Sequence, residues 1–178
     1  MFKLLLTLML FSSTAYAKVD CKVHKIYCKI VKLNPSIDTE FAFELSNLLY
    51  KKAKEYGTDP MVSVAIAMQE SSLRNINRTT QGYLEKDCDS THQKSAMCVV
   101  PVVTDIGIFQ IHVYTAKNYG FNMESLMTDI EYQVDSHLKI LKQKLKNCRH
   151  LGKEAWSCYH STTPKYRLKY VKDVSRYL

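Results

Sequence analysis

A mostly helical α+β domain with a small β and loop subregion is what the sequence predicts, and three observations carry that expectation. Apolar residues recur with helical spacing in several separate stretches between residues 41 and 174. Residues 74–105 lose that period and collect Asn, Thr, Gly, Asp and Ser. Inside this interval Val99-Val100-Pro101-Val102-Val103 is the best strand candidate, so a short antiparallel hairpin among loops is expected, with Pro101 confining the strand to an edge or a bulge.

The chain of 178 residues begins MFKLLLTLMLFSSTAYAKVD. Lys3, the apolar run 4–11 and Ala15-Tyr16-Ala17 before Lys18 form the pattern of a cleaved secretory signal peptide. Residues 1–17 therefore read as a leader, and 18–178 as a single exported domain, periplasmic or secreted. The leader's apolar run is too short to span a bilayer, and no later segment approaches the roughly 20 apolar residues a transmembrane helix needs. Stable membrane insertion is not expected.

After a cysteine-bearing N-terminal segment, Asn34-Pro35-Ser36-Ile37-Asp38 reads as a turn with Asp38 as a helix cap. Phe41, Leu45, Leu48 and Leu49 then mark one face of an amphipathic helix, which Gly57 stops. Asp59 and Pro60 supply the cap and first turn of the next helix, 61–73, and the two helices are expected to form a hairpin. This second helix is apolar on nearly every face, which predicts an interior position. Residues 112–119 read as a short helix closed by Gly120. Met123, Met127, Ile130, Val134, Leu138, Leu141 and Leu145 then hold three- and four-residue spacing, which predicts one long helix. Its Lys139, Lys142, Lys144 and Lys146 read as a solvated outer face. Thr163-Pro164 resembles a cap and first turn for a last helix carrying Leu168, Val171 and Val174.

Lys and Arg number 25 against 17 Asp and Glu, a net charge of +8. A basic exported protein suits an anionic partner such as a bacterial wall or a membrane surface. No basic stretch interleaved with aromatics favours nucleic acid. Cys21, Cys28, Cys88, Cys98, Cys148 and Cys158 all follow the leader, which in an oxidising compartment argues for three disulfides. Neighbour pairing, Cys21 with Cys28, Cys88 with Cys98 and Cys148 with Cys158, closes short loops and is the expected connectivity. No C-x-x-C pair and no histidine pair at ligand spacing supports a metal site.

Glu70 is where chemistry concentrates. A carboxylate ending a buried helix is disfavoured by desolvation and by the negative end of the helix dipole, and both raise its pKa. A general acid working near neutral pH needs that shift. On position alone, a solvated glutamate at a frayed helix end is the alternative. The second informative stretch is Thr104-Asp105-Ile106-Gly107-Ile108-Phe109-Gln110-Ile111-His112. Gly107 permits a close backbone turn, and Gln110, between apolar neighbours, must find partners in the protein or in a ligand such as a sugar.

Together, Gln69-Glu70-Ser71-Ser72 and Gly107-Ile108-Phe109-Gln110-Ile111 resemble the two signature motifs of the lysozyme-like lytic transglycosylases. Thr128-Asp129-Ile130-Glu131-Tyr132-Gln133-Val134 is similar to the family's D-P-x-x-N-I segment, with Pro and Asn both replaced. Ala155-Trp156-Ser157-Cys158-Tyr159-His160-Ser161 stands where the family carries A-Y-N-x-G; Tyr159 matches, His160 replaces the asparagine and the glycine is absent. The resemblance covers about 41–170 and leans towards the small members that accompany bacterial secretion and conjugation machinery. It implies a lysozyme-like fold and an enzyme that cuts the β-1,4 bond between N-acetylmuramic acid and N-acetylglucosamine in peptidoglycan. Glu70 would be the acid and then the base, Ser71 and Gln110 would shape and hold the site, and Tyr159 would face Glu70 or the departing sugar. No metal or cofactor is implied.

Two other readings remain open. Asp105, before Gly107, also resembles the second carboxylate on the strand of animal-type lysozymes; beside Glu70 it would permit hydrolysis. As a residue type, it is equally a turn-forming aspartate. The third reading is a non-catalytic wall-binding subunit of a secretion apparatus. His92, His112 and His160 lack charged partners at helical spacing, and Trp156 reads as core rather than as a sugar platform.

Overall fold

A computed structural model of the chain describes residues 20–21, 24–83 and 99–178. The leader assigned to 1–17, His92 and the Cys88 with Cys98 pairing lie outside those residues. Helix α1 (Lys25–Leu33) forms in the N-terminal segment where the sequence reading places no helix. Ile26 and Ile30, four apart, are its buried stripe, and the expected disulfide joins Cys21, ahead of the helix, to Cys28 in its first turn.

Helix α2 (Thr39–Tyr56) starts where Asp38 accepts a hydrogen bond from the Phe41 N–H at 2.8 Å. It ends at Gly57, whose φ of 68° suits glycine. Helix α3 (Pro60–Ser71) starts in the same way, Asp59 accepting from Met61 N–H at 2.8 Å. Val64, Ala65, Ile66 and Ala67 are fully buried, so the helix that is apolar all round does run through the interior. The expected α2–α3 hairpin is a minor contact: α2 packs mainly on α1 and α6, and α3 on α1 and α7.

Three antiparallel strands follow: β1 (Arg78–Tyr83), β2 (Val99–Ile106) and β3 (Ile111–His112), in the order β1-β2-β3. Pro101 lies in the middle strand opposite Gln81, but β3 pairs only with Asp105 and Ile106. Among the described residues β2 has β1 as its one partner at Pro101, so the missing N–H breaks no ladder on the other side.

His112 caps helix α4 (Val113–Tyr119), its Nδ1 accepting from the Tyr114 N–H at 3.2 Å, and Gly120 closes it in the left-handed conformation. The long helix expected from Met123 onward is two helices, α5 (Met123–Thr128) and α6 (Ile130–Asn147). Asp129 breaks the run. Its backbone is extended, and its carboxylate caps α6 by accepting from Tyr132 N–H at 3.1 Å. Apolar spacing carries across such a break, because an aspartate that bonds a backbone N–H locally offers the chain a cap in place of a helical residue.

A 3₁₀ segment, Arg149–Tyr159, turns the chain back, fastened to the end of α6 by the Cys148–Cys158 disulfide. Helix α7 (Pro164–Ser175) begins with proline in its first turn, although the Thr163 side chain makes no capping bond. Its buried residues are Tyr170 and Val174, whereas Leu168 is 56% exposed. Trp156 is buried against Tyr170.

The core is shared by α1, α2, α3, α6 and the turn after β2. Each fully buried Leu or Ile contributes roughly 1.5–3 kcal/mol. The bonds of Lys52 to Glu131 (3.3 Å) and Asp135 (3.4 Å), between α2 and α6, are worth at most about 1 kcal/mol each at such exposed partners. Burial therefore sets the positions of the helices. Among the described residues no helix is long and apolar enough to cross a membrane.

Candidate active site

Glu70 stands in the last turn of α3. Ser72 and Leu73 take the left-handed conformation, and their N–H groups return to Met68 and Ala67 carbonyls. That closure ends the helix sharply and leaves the half-buried Glu70 side chain at one wall of a cleft of about 450 Å³. The cleft is also lined by Arg78, Asp105, Gln110, His112, Tyr159 and His160. Burial pushes the Glu70 pKa above the ordinary carboxylate value. A hydrogen bond from Tyr170 and the charge of Arg78 oppose the rise, and the Asp105 charge adds to it.

Strand register supplies the next part of the wall. Asp105 pairs with Arg78 on one side and with His112 on the other, so these three residues form a row across the sheet. Paired residues on antiparallel strands share a face, and all three line the cleft. Arg78 also donates to the Glu70 backbone carbonyl, and Thr104 Oγ1 donates to Asp105 Oδ2 at 2.9 Å.

The turn from Gly107 to Gln110 is held from three sides. Gly107 N–H donates to Asn77 Oδ1 at 3.2 Å, and Ile108 N–H donates to Gln133 Oε1 at 3.0 Å. Gln133 in turn donates to Asn75 Oδ1 at 3.0 Å. A Cβ at position 107 would lie 2.2 Å from Gln133 Oε1, and φ there is 71°, so any other residue would be strained and would displace the Gln133 amide. Ser71, 2% exposed, donates to the Ile108 carbonyl at 2.7 Å and ties α3 to this turn; it braces the wall from behind and does not line the cleft. Gln110 donates from Nε2 to the carbonyls of Ile76 (2.8 Å) and Gly107 (2.6 Å), which fixes its amide orientation. Its Oε1 is buried with no hydrogen-bond partner among the described residues.

Tyr159 lines the cleft, but its hydroxyl donates to the Phe109 carbonyl at 3.2 Å and not to Glu70. The tyrosine on the acid is Tyr170, whose hydroxyl donates to Glu70 Oε1 at 2.7 Å. Burial and the Glu70 charge hold the Tyr170 hydroxyl well above its ordinary pKa, so it stays a donor. Its ring stacks on His160 at 4.8 Å. His160 is itself pushed below the ordinary histidine value by burial and by the charge of Lys169. The helical pattern of Leu168, Val171 and Val174 hides Tyr170; its four-residue spacing to Val174 is the signal that finds it.

Tyr170→Phe tests the tuning. The hydrogen bond favours the ionised acid, so its loss is expected to move the alkaline limb of activity to higher pH, with activity at the optimum falling by about tenfold or less. A pH–rate profile checks this, and an unmoved limb would show that the hydroxyl does not tune the acid.

A mostly helical scaffold with a small sheet and a half-buried carboxyl at the wall of one cleft is the architecture of a lysozyme-like domain. The chain belongs to the transglycosylase SLT domain family, whose model matches residues 47–170. That membership supports lytic transglycosylase activity on peptidoglycan. The match runs from α2 to Tyr170 and so includes Glu70, the Gly107–Gln110 turn and both tyrosines. Neither a curated protein nor a solved structure gives a significant match.

Proposed function

We propose that Glu70 is the catalytic residue of this activity and that cleavage closes a 1,6-anhydro ring on N-acetylmuramic acid. The observation that carries the reading is Glu70 itself, raised in pKa by burial at the cleft wall, with Tyr170 as the single donor on its carboxyl among the described residues. The protonated carboxyl gives its proton to the bridging oxygen as the glycosidic bond breaks. The resulting carboxylate then takes the proton of the muramic acid 6-hydroxyl, whose oxygen bonds to C1. One group serves both steps, so no water and no second acid enter. Gln110, Asp105 and Tyr159, which line the cleft, would contact sugar, and Ser71 would keep the wall in register.

A second reading has its own support. Asp105 shares the cleft and its charge reaches Glu70, an arrangement that also suits a muramidase with two carboxylates. Digestion of purified peptidoglycan separates the two, since anhydro ends are lighter than reducing ends by one water. The expected products are anhydro ends, and Asp105→Asn is expected to keep forming them at a rate within about tenfold of the parent. Reducing ends that vanish in Asp105→Asn would establish hydrolysis instead.

The leader-like 1–17 supports export to the periplasm or beyond, and the divergent His160 and Ser161 tail supports local wall opening for a secretion or conjugation apparatus.

A further inference from the structure

Helix α7 buries one side and leaves a basic one outside. Tyr170 and Val174 are its buried residues, with Arg167 and Val171 half-buried beside them. On the opposite side Lys165, Lys169 and Lys172, with Arg176 at the C-cap, follow one another at intervals of four, three and four residues, and all four are exposed. At about 100° per residue they share an arc of about 60°. Arg176 is held by Asp173 at 2.8 Å and Arg167 by Glu154 at 3.9 Å, but Lys165, Lys169 and Lys172 make no ion pair among the described residues. Lys29 of α1, a helix without an acid, donates to the Leu178 carbonyl at 3.3 Å and adds a cation where the stripe ends.

Apolar side chains that the fold leaves in solvent edge this stripe. Leu168 is 56% exposed on one flank, and Tyr166 is 55% exposed on the other. Lysines alone would read as a solvated face, and a soluble polyanion would satisfy their charge as well as a lipid would. Leucine decides between the two. It gains little from a polar polymer, whereas at a bilayer surface it enters the boundary of the acyl chains while the lysine stems lie along it and carry their charges up to the phosphates. Three unpaired cations of one sign set the complementary charge, which is that of anionic headgroups.

We propose that the outer face of α7, formed by Lys165, Leu168, Lys169 and Lys172 with Tyr166 at its edge, is a peripheral docking surface for an anionic lipid bilayer. The helix lies on the bilayer and does not span it; among the described residues no helix is long and apolar enough to cross one. The inner side of the same helix presents Tyr170 to Glu70, and the Lys169 charge reaches His160 at the cleft edge. Docking therefore holds the cleft beside the membrane and directs it to material lying close to the lipid. The surface does not depend on Glu70 being the acid.

Co-sedimentation with vesicles of phosphatidylglycerol or of phosphatidylcholine is the test. The material is the protein recovered after export, checked by mass for removal of 1–17, since the apolar run 4–11 would bind lipid itself. Binding to phosphatidylglycerol is expected to be at least about tenfold tighter than to phosphatidylcholine, with the margin falling as salt rises. Lys165→Gln combined with Lys172→Gln keeps Lys169 beside His160 and should weaken binding to phosphatidylglycerol about 25-fold, roughly fivefold per lysine, whereas arginine at both positions should preserve it. Leu168→Ser should weaken it by about threefold or more. All these side chains are exposed, so the melting temperature should not move. Equal binding to the two lipids, or binding that the double glutamine variant retains, would overturn the surface. Parent affinity in Leu168→Ser, or tighter binding of soluble polyphosphate than of vesicles, would overturn the lipid assignment in favour of a polyanion. Cleavage of soluble glycan is read separately, and a chain that binds vesicles in this way but cuts no strand would sink the catalytic proposal and keep the docking surface.

Discussion

Glu70→Gln is expected to lower peptidoglycan cleavage by at least about 10³-fold and, at neutral pH, to raise the melting temperature. The substitution keeps the shape of the side chain. Tyr170 can still donate to the amide oxygen, and Arg78 still reaches the backbone carbonyl of residue 70. What is lost is the proton that the bridging oxygen needs. The stability effect follows from the sign of the pKa shift. A carboxyl whose folded pKa is raised binds its proton more tightly when folded. That contribution is complete below the unfolded pKa and is lost as pH rises through the folded one. At neutral pH the parent therefore carries an unfavourable charge that the amide lacks, and near pH 3.5 the difference closes. Thermal melts at both pH values check the stability half, and reducing-end-free product counts check the rate. Wall cleavage by the variant within tenfold of the parent would remove Glu70 from the chemistry, and a lower melt at neutral pH would refute the buried-acid picture.

Much of the frame behind Glu70 can be read locally, because its signals act over a few residues. Asp38, Asp59, Pro60, Gly57 and Gly120 do in the structure what cap and turn chemistry assigns them. Gly107 is legible as a close turn, though what approaches it, Gln133, lies on another helix. The features that stay hidden are polar residues buried by distant partners. Tyr170 meets Glu70 across 100 residues, and His137 meets Ser63 across 74. An apolar-period search treats such residues as gaps in the stripe, so the inner face of α6, which includes Gln133, Ser136 and His137, reads as weaker than it is. Lys144 fails for the converse reason. A lysine run reads as solvent-facing, yet a residue one turn from the buried Ile140 is carried to the cleft edge.

Acidification is expected to destabilise the fold through His137. This ring is fully buried on α6, stacked on Phe109 at 3.8 Å and edge-on to Tyr159 at 5.0 Å. Nε2 lies 3.0 Å from Ser63 Oγ, and Nδ1 has no hydrogen-bond partner among the described residues. Burial pushes its pKa down to about 3. A histidine with a depressed folded pKa stays neutral when folded and takes a proton when unfolded. Its contribution is therefore intact above the unfolded value of about 6.5 and is lost as pH falls towards 3, at up to ~1.4 kcal/mol per pH unit. Over two units that is a large share of a typical stability of about 5–15 kcal/mol. His137→Phe keeps a ring on Phe109 but leaves the Ser63 hydroxyl without this partner, at about 1–2 kcal/mol. The variant should thus be less stable than the parent at pH 7 and should match or exceed it near pH 4.5. Denaturant titrations across this range measure the crossing; parallel stability curves would show that His137 does not carry the acid limb. The consequence reaches the cleft, because Phe109 and Tyr159 border the turn that sets Gln110. An acid limb of activity that flattens in His137→Phe would then mark loss of this packing and not titration of Glu70.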